Sequence, residues 1–386
     1  MNGVAAWAFW ISLATLAYVY AGFSLLVIFM AHRHRRQVRK APCTPTLSLI
    51  IPAWNEERTI AQRLNNALAL DYPREFLEII VASDGSNDGT EAVVEKYAPE
   101  VRLLRLPRRG KISALKAAVA RATGEILVFS DANSMYQAQA LRKLCRNFAD
   151  PEVGGVCGNQ IYRKNSSADT ASAGEHLYWS FDKWLKQKES LTGSIVSAHG
   201  AIYAIRRELY RPPAGAAVTD DFVISTEVIA RGYRLVFEHE AVAYEEPVPA
   251  AGREFKRKVR IMNRGWRAVM LQKRLLNPWR YGFYALELFS HKILRRLVPC
   301  FLLILLVASL LLQSQHSFYY GAVAAQIAFY SLAAAGFLLR QRRLGNAKVF
   351  YIPFFYCLAN LAALTALFKL AAGKRIESWQ PQRYAT

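Results

Sequence analysis

The sequence predicts an α/β core with a doubly wound mixed sheet, held between transmembrane helices at both ends of the chain. Three observations predict it. Residues 47–129 alternate short apolar runs with helically spaced segments. Each apolar run stops at a polar turn built from Asp, Asn, Ser or Gly. Outside this core lie apolar segments long enough to span a bilayer, in keeping with 53% apolar residues and a mean hydropathy of +0.07.

Residues 4–31 are almost uninterruptedly apolar and exceed the roughly 20 residues that cross the hydrocarbon core. They read as a transmembrane helix and not as a cleaved signal peptide, whose apolar region is shorter and preceded by its charges. His32-Arg33-His34-Arg35-Arg36 follows this segment, Lys292, Arg295 and Arg296 precede a second, and Arg340-Gln341-Arg342-Arg343 follows a third. Cations that track membrane boundaries account for much of the net charge of +21 and put those flanks in the cytoplasm. The same placement argues against a nucleic-acid-binding protein, for which no recognition motif occurs.

After the extended linker Ala41-Pro42-Cys43-Thr44-Pro45, residues 47–51, 76–82, 101–106 and 126–129 predict strands. Residues 59–70, 91–97 and 112–121 predict the helices between them. Crossovers of this kind are right-handed, so the strand ends at Pro52, Ser83-Asp84 and Asp131 are expected on one sheet edge, where open α/β sheets bind ligands. Further on, residues 153–162 and 200–205 predict strands, and an aromatic-rich helix is expected around Tyr178, Trp179, Phe181 and Trp184. Asp220-Asp221 opens a helix that runs to Ala230 and stops at Gly232. Residues 254–273 mix cations with apolar side chains and read as an amphipathic helix in the membrane interface.

Residues 297–312, with a helical lead-in from Phe283, then 318–339 and 350–372 complete the apolar segments. The expected organisation is an N-terminal transmembrane helix and basic flank (1–40), a catalytic domain (41–250), interface helices (251–296) and about three C-terminal spans with a tail (297–386). The side on which the tail lies stays open, because Lys374-Arg375 oppose the side that a count of crossings gives. Five cysteines without a CxxC spacing argue against a zinc site or a disulfide framework.

The candidate chemistry lies in acids at element ends: Asp84 and Asp88, Asp131, and Asp220 with Asp221. Singly, such residues build turns and caps. Gathered on one sheet edge of a basic chain, they suit a metal-bound diphosphate with one carboxylate left over as a base.

Ile50-Ile51-Pro52-Ala53-Trp54-Asn55-Glu56, Ser83-Asp84-Gly85-Ser86-Asn87-Asp88-Gly89-Thr90, Arg109-Gly110-Lys111, Asp131-Ala132-Asn133 and Thr219-Asp220-Asp221 recur in the order seen in family-2 glycosyltransferases. Over residues 45–270 the chain resembles the membrane-integrated members, the hyaluronan, chitin, cellulose and poly-N-acetylglucosamine synthases. The resemblance implies a GT-A-like (Rossmann-like) domain. It also implies inverting transfer of a hexosyl or N-acetylhexosaminyl group from a nucleotide-sugar, with UDP-sugar expected, to a glycan or lipid-linked acceptor. The setting would be the cytoplasmic face of the inner membrane, in polysaccharide or glycolipid synthesis.

By the same resemblance, Pro52, Ala53, Asn55 and Glu56 would line the nucleotide pocket, Asp84 would hold the uracil, and Lys111 would offset diphosphate charge. Asp131 and Asn133 stand in the DxD position, which binds the sugar-diphosphate with Mg2+ or Mn2+; Asn in place of the usual second Asp keeps an oxygen ligand and loses a charge. Asp221, with Asp220 beside it, takes the place of the general base, and His199 and Arg260 lie on the acceptor side. The QxxRW signature of processive synthases is replaced by Arg257-Lys258-Val259-Arg260-Ile261, while Arg264-Gly265-Trp266 offers an arginine and a tryptophan at another spacing. Addition of a single sugar therefore stands beside polymerisation. The rival class is a membrane-anchored binding or scaffold protein with a degenerate transferase fold, favoured by Asn133 and the altered signature and opposed by intact Asp84, Asp131 and Asp221.

Overall fold

The computed structural model describes residues 2–162, 170–215, 217–246, 251–340 and 342–374; the side chains of 2, 170–179, 251–254, 343 and 346 fall outside it, and with them the expected aromatics Tyr178 and Trp179. In chain order the helices are α1 (Asn2–Ala17), α2 (Phe23–Arg33), α3 (Glu57–Leu68), α4 (Thr90–Glu95), α5 (Lys111–Val119), α6 (Ala140–Cys145) and α7 (Thr170–Thr192). They continue with α8 (Asp220–Ala230), α9 (Ala251–Leu271), α10 (Pro278–Tyr281), α11 (Phe283–Leu288), α12 (Arg295–Leu312), α13 (Ser317–Leu339) and α14 (Lys348–Ala371). The strands are β1 (Leu47–Ala53), β2 (Leu77–Asp84), β3 (Val101–Leu106), β4 (Ile126–Phe129), β5 (Met135–Tyr136), β6 (Val153–Tyr162), β7 (Tyr203–Arg206) and β8 (Arg234–Glu245).

All eight strands form one sheet in the order β3-β2-β1-β4-β7-β6-β8-β5. The β3-β2-β1-β4 half is parallel, while β7 pairs antiparallel with both β4 and β6, so the sheet is mixed. The central strands are apolar throughout because both faces are covered. Leu49 and Ile51 of β1, Ile79 and Val81 of β2, and Val128 of β4 pack with Ile60 and Leu64 of α3 and Leu141 of α6. Their neighbours Ile50, Ile80 and Leu127 point the other way, onto Leu115 of α5, Ile224 and Val228 of α8, and Val269 of α9.

From β1 the chain steps outward through β2 to β3, then returns to the other side of β1 as β4. The carboxyl ends of β1 and β4 therefore flank the point where strand order reverses, the usual site of a ligand crevice. Register puts Ala53 level with Ser83 and Ile50 level with Phe129, which brings the expected strand ends onto one edge. The linker after α2 is tied to this unit through Arg36 to Glu152 (2.9 Å) and Lys40 to Glu238 (2.8 Å). Arg206 at the end of β7 donates to the carbonyls of Val153 and Phe148 at 2.9 Å, because β7 ends beside the start of β6.

Among the described residues, four helices are long and apolar enough to cross a membrane: Gly3–Arg33, Phe283–Leu312, Ser317–Leu339 and Lys348–Ala371. α1 runs antiparallel to α12: Tyr18, just past the end of α1, is hydrogen-bonded to Ser290 just before α12 at 2.8 Å, and Ala5, Leu16, Val298 and Leu312 share one cluster. Phe9 packs edge-on against Tyr319 (5.0 Å) and Phe318 (5.9 Å), so the start of α13 lies at the end of the bundle remote from the sheet. α14 begins beside the other end of α13, where Gly336 lets the Phe350 carbonyl approach closely. It finishes beside α9: Val259 packs on Ala362 and Ala366, and Arg267 donates to the Lys374 carbonyl at 3.1 Å. Both ends of α14 thus lie toward the α/β unit.

Candidate functional site

A cleft of about 400 Å³ opens at the carboxyl ends of β1 and β4 and is completed by α5, α8, α9 and the start of α12. Of the residues singled out from sequence, Pro52, Glu56, Lys111, Asp131, Asn133, His199, Asp220, Asp221 and Arg260 all line it. Ala53, Asn55 and Asp84 do not stand in its lining. Asn55 adopts a positive φ of 53° and exchanges hydrogen bonds with Asn87, to its side chain at 2.6 Å and from its amide at 3.0 Å, which fixes the turn after β2.

Asp84 is fully buried at the end of β2 and accepts from the amides of Arg109 (2.8 Å) and Gly110 (2.8 and 2.9 Å) and from the Arg108 guanidinium. Arg108 in turn lies 3.8 Å over the Trp54 ring. These contacts bend the chain through Gly110, at a φ of 93° that favours glycine, and so fix where α5 begins.

Lys111, first residue of α5, reaches into the cleft. Its ammonium lies 2.9 Å from Asp131 Oδ1 and 3.0 Å from Asp220 Oδ2. Burial works against its charge, but the two carboxylates outweigh burial and hold its pKa above the ordinary lysine value. Asp221 is pushed up to about 6 by burial and by the adjacent Asp220 carboxylate, against Lys111 and its own bond from the Phe222 amide (2.7 Å). At neutral pH Asp221 is therefore an ionised carboxylate with a raised basicity.

These groups converge on Gly200, which sequence reasoning did not single out. A Cβ there would stand 3.3 Å from Asp131 Oδ2, 3.6 Å from Asp221 Oδ2 and 3.7 Å from Lys111 Nζ. The glycine leaves the space between them open. Behind Asp131, Arg63 is fully buried, lies 4.5 Å over the Tyr136 ring and donates to Ser130 at 3.1 Å. Burial lowers its pKa to about 10, which still leaves it charged. Tyr136 donates to the carbonyls of Phe129 and Ala201, each at 3.2 Å, and so ties the end of β4 to the Gly200 turn.

The Asn133 side-chain oxygen is buried without a hydrogen-bond partner among the described residues. Such an oxygen, together with the Asp131 carboxylate, fits a hard divalent cation that takes its other ligands from phosphate and water. Among the described residues no group of three or more His, Cys, Asp or Glu side chains could hold a metal, so a cage built wholly from these residue types is not present.

His199 belongs to a buried network that the sequence did not reveal. Its Nε2 lies 3.5 Å from Asp182, it is hydrogen-bonded to Lys186, and Lys186 lies 3.3 Å from Asp182. Burial and the Lys186 charge push the His199 imidazole down to about 4, so it is neutral and can accept from Lys186. Farther along α7, Glu189 lies 3.1 Å from His291, which leads into α12. The only local signal was the Asp182–Lys186 spacing of four residues on a helix. Trp184 packs with Phe181 and beside Phe23 and Val27 of α2, so it belongs to a helix contact.

Opposite the acids, α9 and the approach to α12 supply Arg257, Arg260, Arg264, Lys292 and Arg296. Ile261 also faces the cleft, whereas Trp266 is buried beneath Arg296, whose guanidinium lies 5.8 Å from the ring.

Residues 48–212 match the family described as Glycosyl transferase family 2. The chain is 27% identical over 222 residues to poly-beta-1,6-N-acetyl-D-glucosamine synthase of Staphylococcus aureus (strain COL), a match covering 55% of this chain and 53% of that protein. It is 26% identical over 213 residues to the probable glycosyltransferase YdaM of Bacillus subtilis (strain 168), covering 52% and 51%. The chain thus spans about half the length of these curated relatives. Among solved structures it superposes on the mannosyltransferase PcManGT from Pyrobaculum calidifontis, which was determined in complex with GDP-Man and Mn2+. The TM-score is 0.70 at 24% identity, with 95% of this chain and all 100% of that one covered, a likeness of fold.

Proposed function

We propose that the chain, whose residues 48–212 match the family described as Glycosyl transferase family 2, is a membrane-bound inverting glycosyltransferase that uses a UDP-sugar donor. The observation that carries this reading is the convergence of Asp131, Asp221 and Lys111 on the open space at Gly200. Asp221 takes the proton from an acceptor hydroxyl. The resulting oxygen attacks the anomeric carbon, and the bond from that carbon to the phosphate oxygen breaks with its electron pair leaving on the nucleoside diphosphate. Attack opposite the leaving group inverts the centre.

Asp131 and Asn133 would hold Mg2+ or Mn2+, which offsets the charge of the departing diphosphate when bound. Lys111 lies between Asp131 and Asp220, where it can add charge to the same group. Pro52 and Glu56 flank the nucleotide. Asp84 acts by fixing the Arg108-Arg109-Gly110 turn, and a uracil contact would require that turn to open. His199 and Arg260 line the acceptor side. The buried position of Trp266 and Ile261 at the cleft favour one addition per acceptor, since among the described residues α9 contributes no aromatic platform to the cleft for a growing glycan. A cytoplasmic catalytic face follows from the basic flanks.

The experiment is a screen of purified, lipid-embedded protein against UDP- and GDP-sugars with divalent ions, reading nucleotide release and product length. UDP release with a product one sugar longer is the expected result. Turnover of GDP-sugars alone rejects the donor, and turnover that survives Asp221→Asn rejects the base.

A further inference from the structure

Asp182, Lys186 and Glu189 share one face of α7, and each is at most 5% exposed. Lys186 lies 3.3 Å from Asp182. Its ammonium also meets the edge of the His199 ring, hydrogen-bonded to Nε2 and 3.3 Å from Nδ1. Asp182 stands 3.5 Å from the same Nε2 and 3.8 Å from His291, whose other ring nitrogen lies 3.1 Å from Glu189. Asp182, Lys186 and Glu189 stand outside the cleft lining, whereas His199 is part of it.

The backbone around His199 has supports of its own. Ser225 of α8 accepts from the Ala198 amide at 3.1 Å, and Tyr136 donates to the Ala201 carbonyl at 3.2 Å. The turn that carries His199 and Gly200 is thus pinned on both sides without Lys186. What Lys186 adds is a charge. Burial disfavours its ammonium, but Asp182 outweighs burial and keeps it protonated. Against burial of its own, Asp182 is held well below the usual carboxylate range by Lys186.

An imidazole in water binds a proton more tightly than a carboxylate does, so an unrestrained His199 would compete with Asp221 for the acceptor's proton or carry a charge beside it. In the cleft the order is reversed. Burial and the Lys186 charge push His199 down to about 4 against the pull of Asp182, while burial and Asp220 push Asp221 up to about 6. Three other groups stand around the ring: Lys292 from the lead-in to α12, which acts on it in the same sense as Lys186, Asp221 across the Gly200 turn, and Cys157 of β6, a neutral thiol pushed up by burial.

We propose that Lys186 is a positioning residue that acts through His199: its buried ammonium keeps the imidazole on the cleft wall uncharged and leaves the acceptor's proton to Asp221. This rests on the transferase reading. The proton of the attacking hydroxyl then passes to the carboxylate, and no imidazolium stands near Asp221 to weaken it as a base.

The test uses the full-length protein in nanodiscs with 13C-labelled histidine, of which the chain has seven. The His199 signal is identified by its loss in His199→Gln. In the wild type it is expected to keep the neutral imidazole position through the range in which free histidine titrates. Lys186→Met leaves Asp182 without its counterion, and the His199 signal should then titrate at or above the ordinary histidine value; Lys186→Gln repeats the measurement as a guard against misfolding. Both variants should lower kcat/KM by roughly 3- to 10-fold at neutral pH and add an acid limb at the value the spectra give. Asp182→Asn combined with Lys186→Met removes both charges and should silence the titration and recover most of the rate, which lost packing alone would not do. In a His199→Gln background Lys186→Met should cost nothing further. A His199 signal that stays neutral in both single variants, a new titration that survives His199→Gln, or a rate loss that the paired variant and the glutamine background leave in place overturns the proposal. Wild-type protein that turns over no nucleotide-sugar overturns the transferase reading, while the spectra still decide whether Lys186 sets the charge of His199.

Discussion

The Lys111 ammonium lies 2.9 Å from the Asp131 carboxylate, joining the first residue of α5 to the turn that follows β4. The same ammonium reaches Asp220 at 3.0 Å, so one cation holds together two acids from distant parts of the chain. Without it, Asp131, Asp220 and Asp221 would repel one another in a poorly solvated cleft. Lys111→Met is expected to lower kcat/KM by roughly 10- to 100-fold, the loss of a charge-assisted hydrogen bond in such a setting. Steady-state kinetics across a range of divalent-ion concentrations checks it, and higher ion concentration should recover part of the loss.

In the proposed mechanism Asp221 sets the pH dependence. Its pKa is raised to about 6 by burial and Asp220. A base acts in its ionised form, so transfer is present above that value and lost as pH falls through it. The pH profile of kcat/KM should show an acid limb near 6, and Asp221→Asn should remove both the limb and roughly 10²- to 10⁴-fold of the rate while leaving nucleotide binding intact. An unchanged limb in a variant that retains activity would assign the titration to another group.

Asn133 offers an orphaned buried oxygen beside Asp131. Asn133→Asp would give the proposed metal site a second charged ligand, and metal-dependent activity should be kept or raised, with a lower concentration of Mn2+ or Mg2+ needed for half-maximal rate. Titration of activity against each ion reads this directly. Complete loss of activity would count against metal binding at this turn.

Lys374 lies beside Arg267 on α9, whereas the turn before α13 lies at the remote end of the bundle. In sealed vesicles, a cysteine introduced by Lys374→Cys should react with an impermeant thiol reagent on the same side as the catalytic domain. One introduced by Gln315→Cys should react only from the opposite side. Reaction of both from one side would contradict this placement of α14.

What the sequence determined on its own was the set of elements and the inventory of acids. Ile50, Ile80 and Leu127 sit in apolar runs that both faces of a covered parallel sheet require, so the strands were visible as continuous hydrophobic stretches. Asp131 was visible because it ends a strand, and βα connectivity dictates that parallel strand ends share an edge; Asp220-Asp221 were visible as the opening of a helix, but β7 before them runs antiparallel to β4, so their place at that edge was left to the tertiary structure. Tertiary structure decided the partnerships. Lys111 meets Asp131 and Asp220, Asp84 is consumed by Arg108 and two backbone amides, and His199 is held neutral by burial and the Lys186 charge, against the pull of Asp182. It also decided that Gly200 is the open floor of the cleft, that Trp266 is buried, and that α14 returns toward the sheet. Local periodicity reports which face of an element is apolar. Which charge a buried side chain meets, and how far that contact shifts its proton affinity, depends on residues far apart in the chain that only the packed structure brings within a few ångströms.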